Sequence, residues 1–109
     1  MSAKPIVPRE QARRDVIEAL EYYLVQGGES AALGLIDALE GAYRVIASHP
    51  AAGSPRYAHE LDLPGLRCWP VKPYPYLIFY VEREGRIDLW RVLHAHRDIP
   101  AWMKDAEDL

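Results

Sequence analysis

The 109-residue chain predicts an α+β domain: an N-terminal short strand and an antiparallel helical hairpin packed on a C-terminal antiparallel β-sheet. Three observations carry this. Residues 9–49 repeat apolar side chains at helical spacing, with one glycine pair in the middle. Residues 50–65 lose all period and hold three prolines and two glycines. Residues 66–94 switch to strand code, rich in aromatic and β-branched side chains. The length suits a single domain over 1–109, whose last part, 95–109, is a C-terminal segment.

Residues 4–8 are short and flanked by prolines, enough for a brief edge strand. From Pro8 the pattern is helical, with Ala12, Val16, Leu20, Tyr23 and Leu24 three or four apart. Pro8 suits a first helical turn, and Gly27-Gly28 supplies a left-handed exit. Ser30 can cap a second helix carrying Leu33, Ile36, Leu39, Tyr43 and Ile46, and His49-Pro50 stops it. So short a break makes the two helices antiparallel. Gly34, Ala38 and Gly41 share one face, a smooth track on which another backbone could lie close.

After the 50–65 loop come three strands, Leu66 to Val71, Tyr76 to Arg83 and Arg86 to His94. Glu84-Gly85 is a two-residue turn signal, which sets Arg83 opposite Arg86, Tyr80 opposite Leu89 and Ile78 opposite Arg91. One sheet face then holds Tyr76, Ile78, Tyr80, Leu89, Arg91 and Leu93. The other holds Leu77, Phe79, Val81, Trp90 and Val92, the more apolar set, expected under the helices. If Lys72 to Pro75 closes the preceding hairpin symmetrically, Arg67 pairs with Tyr80 and Trp69 with Ile78. Arg67, Trp69, Tyr80 and Arg91 would then share an open face, too apolar to stay wet without a partner.

A formal charge of −3 argues against holding nucleic acid by bulk electrostatics, because phosphate neutralisation needs clustered cations. Residues 66–98 nevertheless carry six basic and four acidic side chains, so an anionic partner would meet that half. The lone Cys68 excludes an internal disulfide and a cysteine zinc cage, which fits a reducing cytoplasm. Neither a signal peptide nor a membrane span is expected. The acidic tail Lys104 to Leu109 is expected to fray.

The last strand runs into His94-Ala95-His96-Arg97 and stops at Ile99-Pro100-Ala101-Trp102. Two histidines could ligate a metal, but a site needs a further ligand and no neighbouring carboxylate other than Asp98 is evident, so no metal and no cofactor are expected. No nucleophile stands beside a base, and there is no phosphate loop. Arg67 and Arg91 have two readings: pairing with nearby acids and packing over aromatic rings, or gripping a phosphate or a partner's carboxylate.

The helical hairpin, Gly65-Leu66-Arg67-Cys68, Tyr76 to Val81, Ile87 to His94 and the closing Arg97-Asp98-Ile99-Pro100-Ala101-Trp102 occur in an order that resembles the RelE/ParE superfamily of bacterial type II toxin–antitoxin toxins. The likeness spans about residues 4–103, and its final segment is similar to the ParE, or plasmid-stabilisation, branch. The resemblance implies a cytoplasmic toxin silenced in a hetero-oligomer by a cognate ParD-like antitoxin. It implies DNA gyrase as target, no catalysis by the toxin itself, and no sequence-specific nucleic-acid binding by the toxin alone. Arg91, His94, His96, Arg97 and Trp102 are then expected to bind the target. Arg67, Trp69, Tyr76, Ile78 and Tyr80, with the hairpin, are expected to bind the antitoxin. The alternative within the superfamily is a RelE-like ribosome-dependent mRNA endoribonuclease, with Arg67, Arg91, Arg97 and a histidine around the scissile phosphate. Against it, no tyrosine follows Arg97, and Lys72 is the one lysine between residues 5 and 103.

Overall fold

The structure, a computed structural model, describes residues 3–104; most of the expected fraying tail, residues 105–109, lies outside them. Strand β1 (Ile6–Pro8) leads into a long helix, α1 (Glu10–Ser48), which folds back on itself at Gly28. A straight helix of 39 residues would exceed the molecule's longest dimension of 38 Å, since each residue adds about 1.5 Å. Gly28 adopts φ 80° and ψ −174°, a conformation open in practice to glycine alone, and is the one non-helical residue of the stretch. The expected hairpin is therefore present with a tighter bend, and Ser30 is already helical rather than a cap. Pro8 closes β1 instead of opening the helix, which begins at Glu10 after an extended Arg9.

A single 3-10 turn (Pro50–Ala52) and a short helix, α2 (Arg56–Glu60), occupy part of the stretch expected as plain loop. Strands β2 (Leu66–Pro70), β3 (Tyr76–Arg83) and β4 (Arg86–His94) follow, and then helix α3 (Ile99–Met103). The sheet order is β1-β4-β3-β2. β2, β3 and β4 are antiparallel neighbours, while β1 runs parallel to β4, so the sheet is mixed.

Register decides what each side of the sheet does. Gly85 takes φ 82° in the β3–β4 turn, and Arg83 faces Arg86 and Tyr80 faces Leu89, as the turn signal requires. Arg67 faces Tyr80 and Trp69 faces Ile78, also as expected. Between Phe79 and Tyr80 the ladder slips: Phe79 lies opposite Arg91 and Ile78 opposite Val92, leaving Trp90 as an extra residue on β4. The expected Ile78–Arg91 pair is thereby corrected.

The bulge moves residues to faces the simple alternation did not give them. Under the hairpin lie Ile78, Tyr80, Ile87, Leu89 and Val92, packed with Ala12, Ala19, Leu35, Leu39, Ala42 and Ile46. The opposite face carries Phe79, Val81, Trp90 and Leu93, covered by Leu63, Ile99 and Met103 with Tyr57 and Leu61 from around α2. Two expectations are corrected here. The hairpin covers the Ile78/Tyr80 face, and the other face is closed by α2 and α3 rather than open.

A polar cluster around Asp88 locks these layers. Asp88 accepts hydrogen bonds from Arg9 (3.0 Å), Trp90 Nε1 (2.9 Å) and Arg83 (3.2 Å), pinning the β1–α1 joint to the hairpin strands. Burial pushes its carboxyl up, but those donors outweigh burial and hold it below its ordinary value. Gly34 is roofed by Tyr74, whose hydroxyl a Cβ there would strike, whereas a Cβ at Gly41 would find only Arg44 at 3.8 Å. The small-residue track thus admits one tyrosine side chain, not a neighbouring backbone.

Candidate functional site

β1 pairs with β4 only along Ile87–Leu89, and beyond that point the β4 edge belongs to the start of α1. The Arg9 N–H donates to the Leu89 carbonyl (2.9 Å) and the Val92 N–H donates to Asp15 Oδ2 (3.0 Å). Asp15 thus supplies with a side chain the acceptor a next strand would have offered. Arg91 meets the same carboxylate in a fork, Nε at 2.8 Å and Nη2 at 2.9 Å, and gives Nη1 to the Trp102 carbonyl (2.9 Å). Asp15 is 7% and Arg91 5% exposed.

Arg91, expected to touch a target, is therefore corrected to an internal group tying α1, β4 and α3 together. Asp15 is the residue that sequence reasoning missed. Its signal was its place three residues after Ala12 and four before Ala19, on the buried stripe of the helix.

Above this pair opens a cleft of about 560 Å³ between the first arm of α1 and the end of the sheet. Its floor includes Ala19, Val92 and Leu93; Glu18, Tyr22 and Tyr23 form the helical wall, and Pro75, Tyr76, His94 and Arg97 the other. The rings touch in sequence. Tyr22 and Tyr23 meet edge to face (5.2 Å), Tyr23 meets Tyr76 (6.3 Å), Tyr76 meets His94 (5.3 Å), and His94 meets His96 (5.3 Å). Arg97 lies over the Trp102 ring at 4.0 Å, and Trp102 is 42% exposed. The structure so brings together His94, His96, Arg97 and Trp102, the four members of the expected target set that remain accessible.

The other expected set divides. Ile78 and Tyr80 are 0% exposed, so no partner can touch them in this fold. The Tyr80 hydroxyl donates to the Pro50 carbonyl (2.6 Å) and accepts from the Gly53 N–H (3.1 Å). Arg67 donates to the Ala51 and Gly53 carbonyls (3.2 and 2.8 Å), fastening the same turn. Trp69 and Tyr76 are half-buried, Trp69 against the hairpin core and Tyr76 in the cleft. The bland reading of Arg67 and Arg91, arginines engaged with their own fold, is the one realised.

Burial pushes the Tyr76 and Tyr23 hydroxyls up, reinforced by the neighbouring tyrosines, so both stay protonated. Burial likewise raises the Cys68 thiol. Among the described residues no group of three or more His, Cys, Asp or Glu could hold a metal ion. His94 is shifted down from 6.5, first by burial and then by His96 and Arg97. Its Nδ1 accepts from the His96 N–H at 3.1 Å, which places the single ring proton on Nε2.

The sign of the pH effect follows. Between its lowered folded pKa and about 6.5 the unfolded chain binds the extra proton, so stability rises with pH across that window. Acidification from pH 7 is expected to weaken the parent more than His94→Gln. Urea titrations of both at neutral and mildly acid pH check this; equal losses would show that His94 titrates freely.

Comparison with known proteins gives two findings. The sequence profile of the family described as ParE toxin of type II toxin-antitoxin system, parDE, matches residues 6–99. Among solved structures, a chain from the chromosomal ParDE TA system of P. aeruginosa superposes with a TM-score of 0.72 at 17% identity, over 86% of this chain and 98% of that one. No curated protein matches the sequence. Among the described residues no helix is long and apolar enough to cross a membrane.

Proposed function

Because the chain belongs to the ParE toxin family of type II toxin–antitoxin systems, we propose that it works by binding rather than by chemistry, as a cytoplasmic inhibitor of DNA gyrase neutralised by a ParD-like antitoxin in a hetero-oligomer. One observation carries the non-catalytic part. Of the three arginines a nuclease would gather around a phosphate, Arg67 and Arg91 are committed to internal carbonyls and to Asp15, leaving Arg97 alone at the cleft. A single guanidinium among protonated tyrosines and a neutral histidine is a poor machine for cleaving RNA and a good recognition surface. His94, His96, Arg97 and Trp102 are its target-facing residues.

For the antitoxin, the outer side of the hairpin is the better surface. Ile17, Leu24, Val25 and Leu33 are each more than half exposed, Val25 80%. Beside Ile17 runs a groove of about 350 Å³ formed by Pro8, Ala12, Val16 and Tyr43. Apolar surface gathered in this way marks a protein contact. Trp69 and Tyr76 remain in the antitoxin set at its margin, while Arg67, Ile78 and Tyr80 serve it only by shaping the fold.

The test uses purified, antitoxin-free protein with gyrase and supercoiled plasmid, and in parallel with translating ribosomes. Lost supercoiling or trapped cleaved plasmid, with messenger RNA intact, is the expected result. Codon-positioned cuts in messenger RNA with gyrase unaffected would replace this reading by the RelE-like one.

A further inference from the structure

We propose that the tyrosine-lined cleft is an anchor pocket for one carboxylate of a partner peptide, and that the silencing partner inserts an acidic side chain there. The proposal rests on the reading that a protein antitoxin neutralises this chain, and adds where and with what chemistry it does so.

The cleft presents hydrogen-bond donors almost throughout. The phenol groups of Tyr22, Tyr23 and Tyr76 have no hydrogen-bond partner among the described residues, and the raised pKa values of Tyr23 and Tyr76 keep them as donors. His94 offers Nε2–H, because its Nδ1 is already an acceptor. Arg97 lies over the Trp102 ring at 4.0 Å, and its N–H groups, unpaired among the described residues, stay available. Of the two carboxyl groups lining the cleft, Asp15 is already satisfied by Arg91 and the Val92 N–H, and Glu18 stands on the helical wall. Convergent donors over an apolar floor fit an acceptor-only anion, and a charged acceptor makes each of those bonds stronger than a neutral one would.

Charge decides which anion. Among the described residues Arg97 is the only permanent cation lining the cleft, Glu18 stands on its helical wall, and the chain as a whole carries −3. A polyanion needs several clustered cations and would be repelled here, whereas a single carboxylate needs only one. About 560 Å³ accommodates an acidic side chain together with an adjoining aromatic residue laid on Tyr22 or Tyr76. A peptide is thus favoured over a nucleic acid. Since His94 and Arg97 are also target-facing, a seated carboxylate would occlude the target directly.

The test needs neither gyrase nor an identified antitoxin. Titrate the folded protein with a capped Ala-Phe-Glu-Phe-Ala peptide, its Gln counterpart, inorganic phosphate and a short oligothymidylate, following the amides of residues 94–97 and the His94 ring by NMR. The Glu peptide is expected to shift these signals, and the Gln peptide to bind roughly tenfold or more weakly, the scale of a hydrogen bond to a charged group. Arg97→Gln should lose that preference, and Tyr76→Phe, which keeps the ring, should weaken the Glu peptide alone. Equal binding of both peptides, tighter binding of phosphate or oligothymidylate, or no shift at millimolar peptide would each overturn the proposal. None of these outcomes depends on whether gyrase is the target.

Discussion

Asp15→Ala is expected to destabilise the fold by about 3–5 kcal/mol, the usual cost of leaving a buried charge without its partner. The substitution strips Arg91 of its fork and leaves the Val92 N–H without an acceptor. It also loosens the hold of Arg91 on the Trp102 carbonyl, so α3 should detach before the rest of the molecule unfolds. Urea titration followed by far-UV signal gives the global loss, and the Trp102 indole N–H resonance in NMR spectra reports the local one. The pair Asp15→Leu with Arg91→Met should recover much of the stability, since replacing both ions by apolar groups is often neutral. A loss under about 1 kcal/mol for Asp15→Ala would mean that water reaches Arg91 and that the pair is in effect a surface one.

Tyr80→Ala should be as costly, about 3–5 kcal/mol for emptying a large aromatic site. Tyr80→Phe isolates the hydroxyl and is expected to cost about 1–3 kcal/mol, because the Pro50 carbonyl and the Gly53 N–H both lose it. The functional corollary is specific. Once corrected for the unfolded fraction, antitoxin affinity should be unchanged in Tyr80→Phe, because Tyr80 has no exposed atoms to offer a partner. An affinity loss beyond that fraction would return Tyr80 to the interface.

Where local chemistry determines geometry, the fold was legible in the chain. Glu84-Gly85 fixed one turn, Gly27-Gly28 the bend, and the Lys72–Pro75 connection the β2–β3 register. What escaped was the single bulge at Trp90. Nothing in Leu89-Trp90-Arg91-Val92 marks which residue is extra, since tryptophan and a long-stemmed arginine each suit either face. That one residue carried Arg91 out of the face assigned to it and misplaced the face under the hairpin. Helices α2 and α3 escaped for another reason: five residues are too few to show a period. Without them the second face looked bare. Asp15 was hidden because a carboxylate amid alanines reads as a weak point of an apolar stripe until its partner, 76 positions away, is known.

The strand order has a consequence for the newborn chain. β4, the last strand in sequence among the described residues, lies inside the sheet between β1 and β3, and among those residues β1 has no other strand partner. Until β4 emerges from the ribosome, β1 has nowhere to pair, Asp15 has no arginine, and the Tyr76–Arg97 cleft has no second wall. Closure must then span about eighty residues, a non-local step that folds slowly. The cleft proposed as its recognition surface is therefore incomplete for most of its own translation. That proposed surface is completed at the same moment as the core, and on this proposal a partner made alongside the chain has time to be waiting.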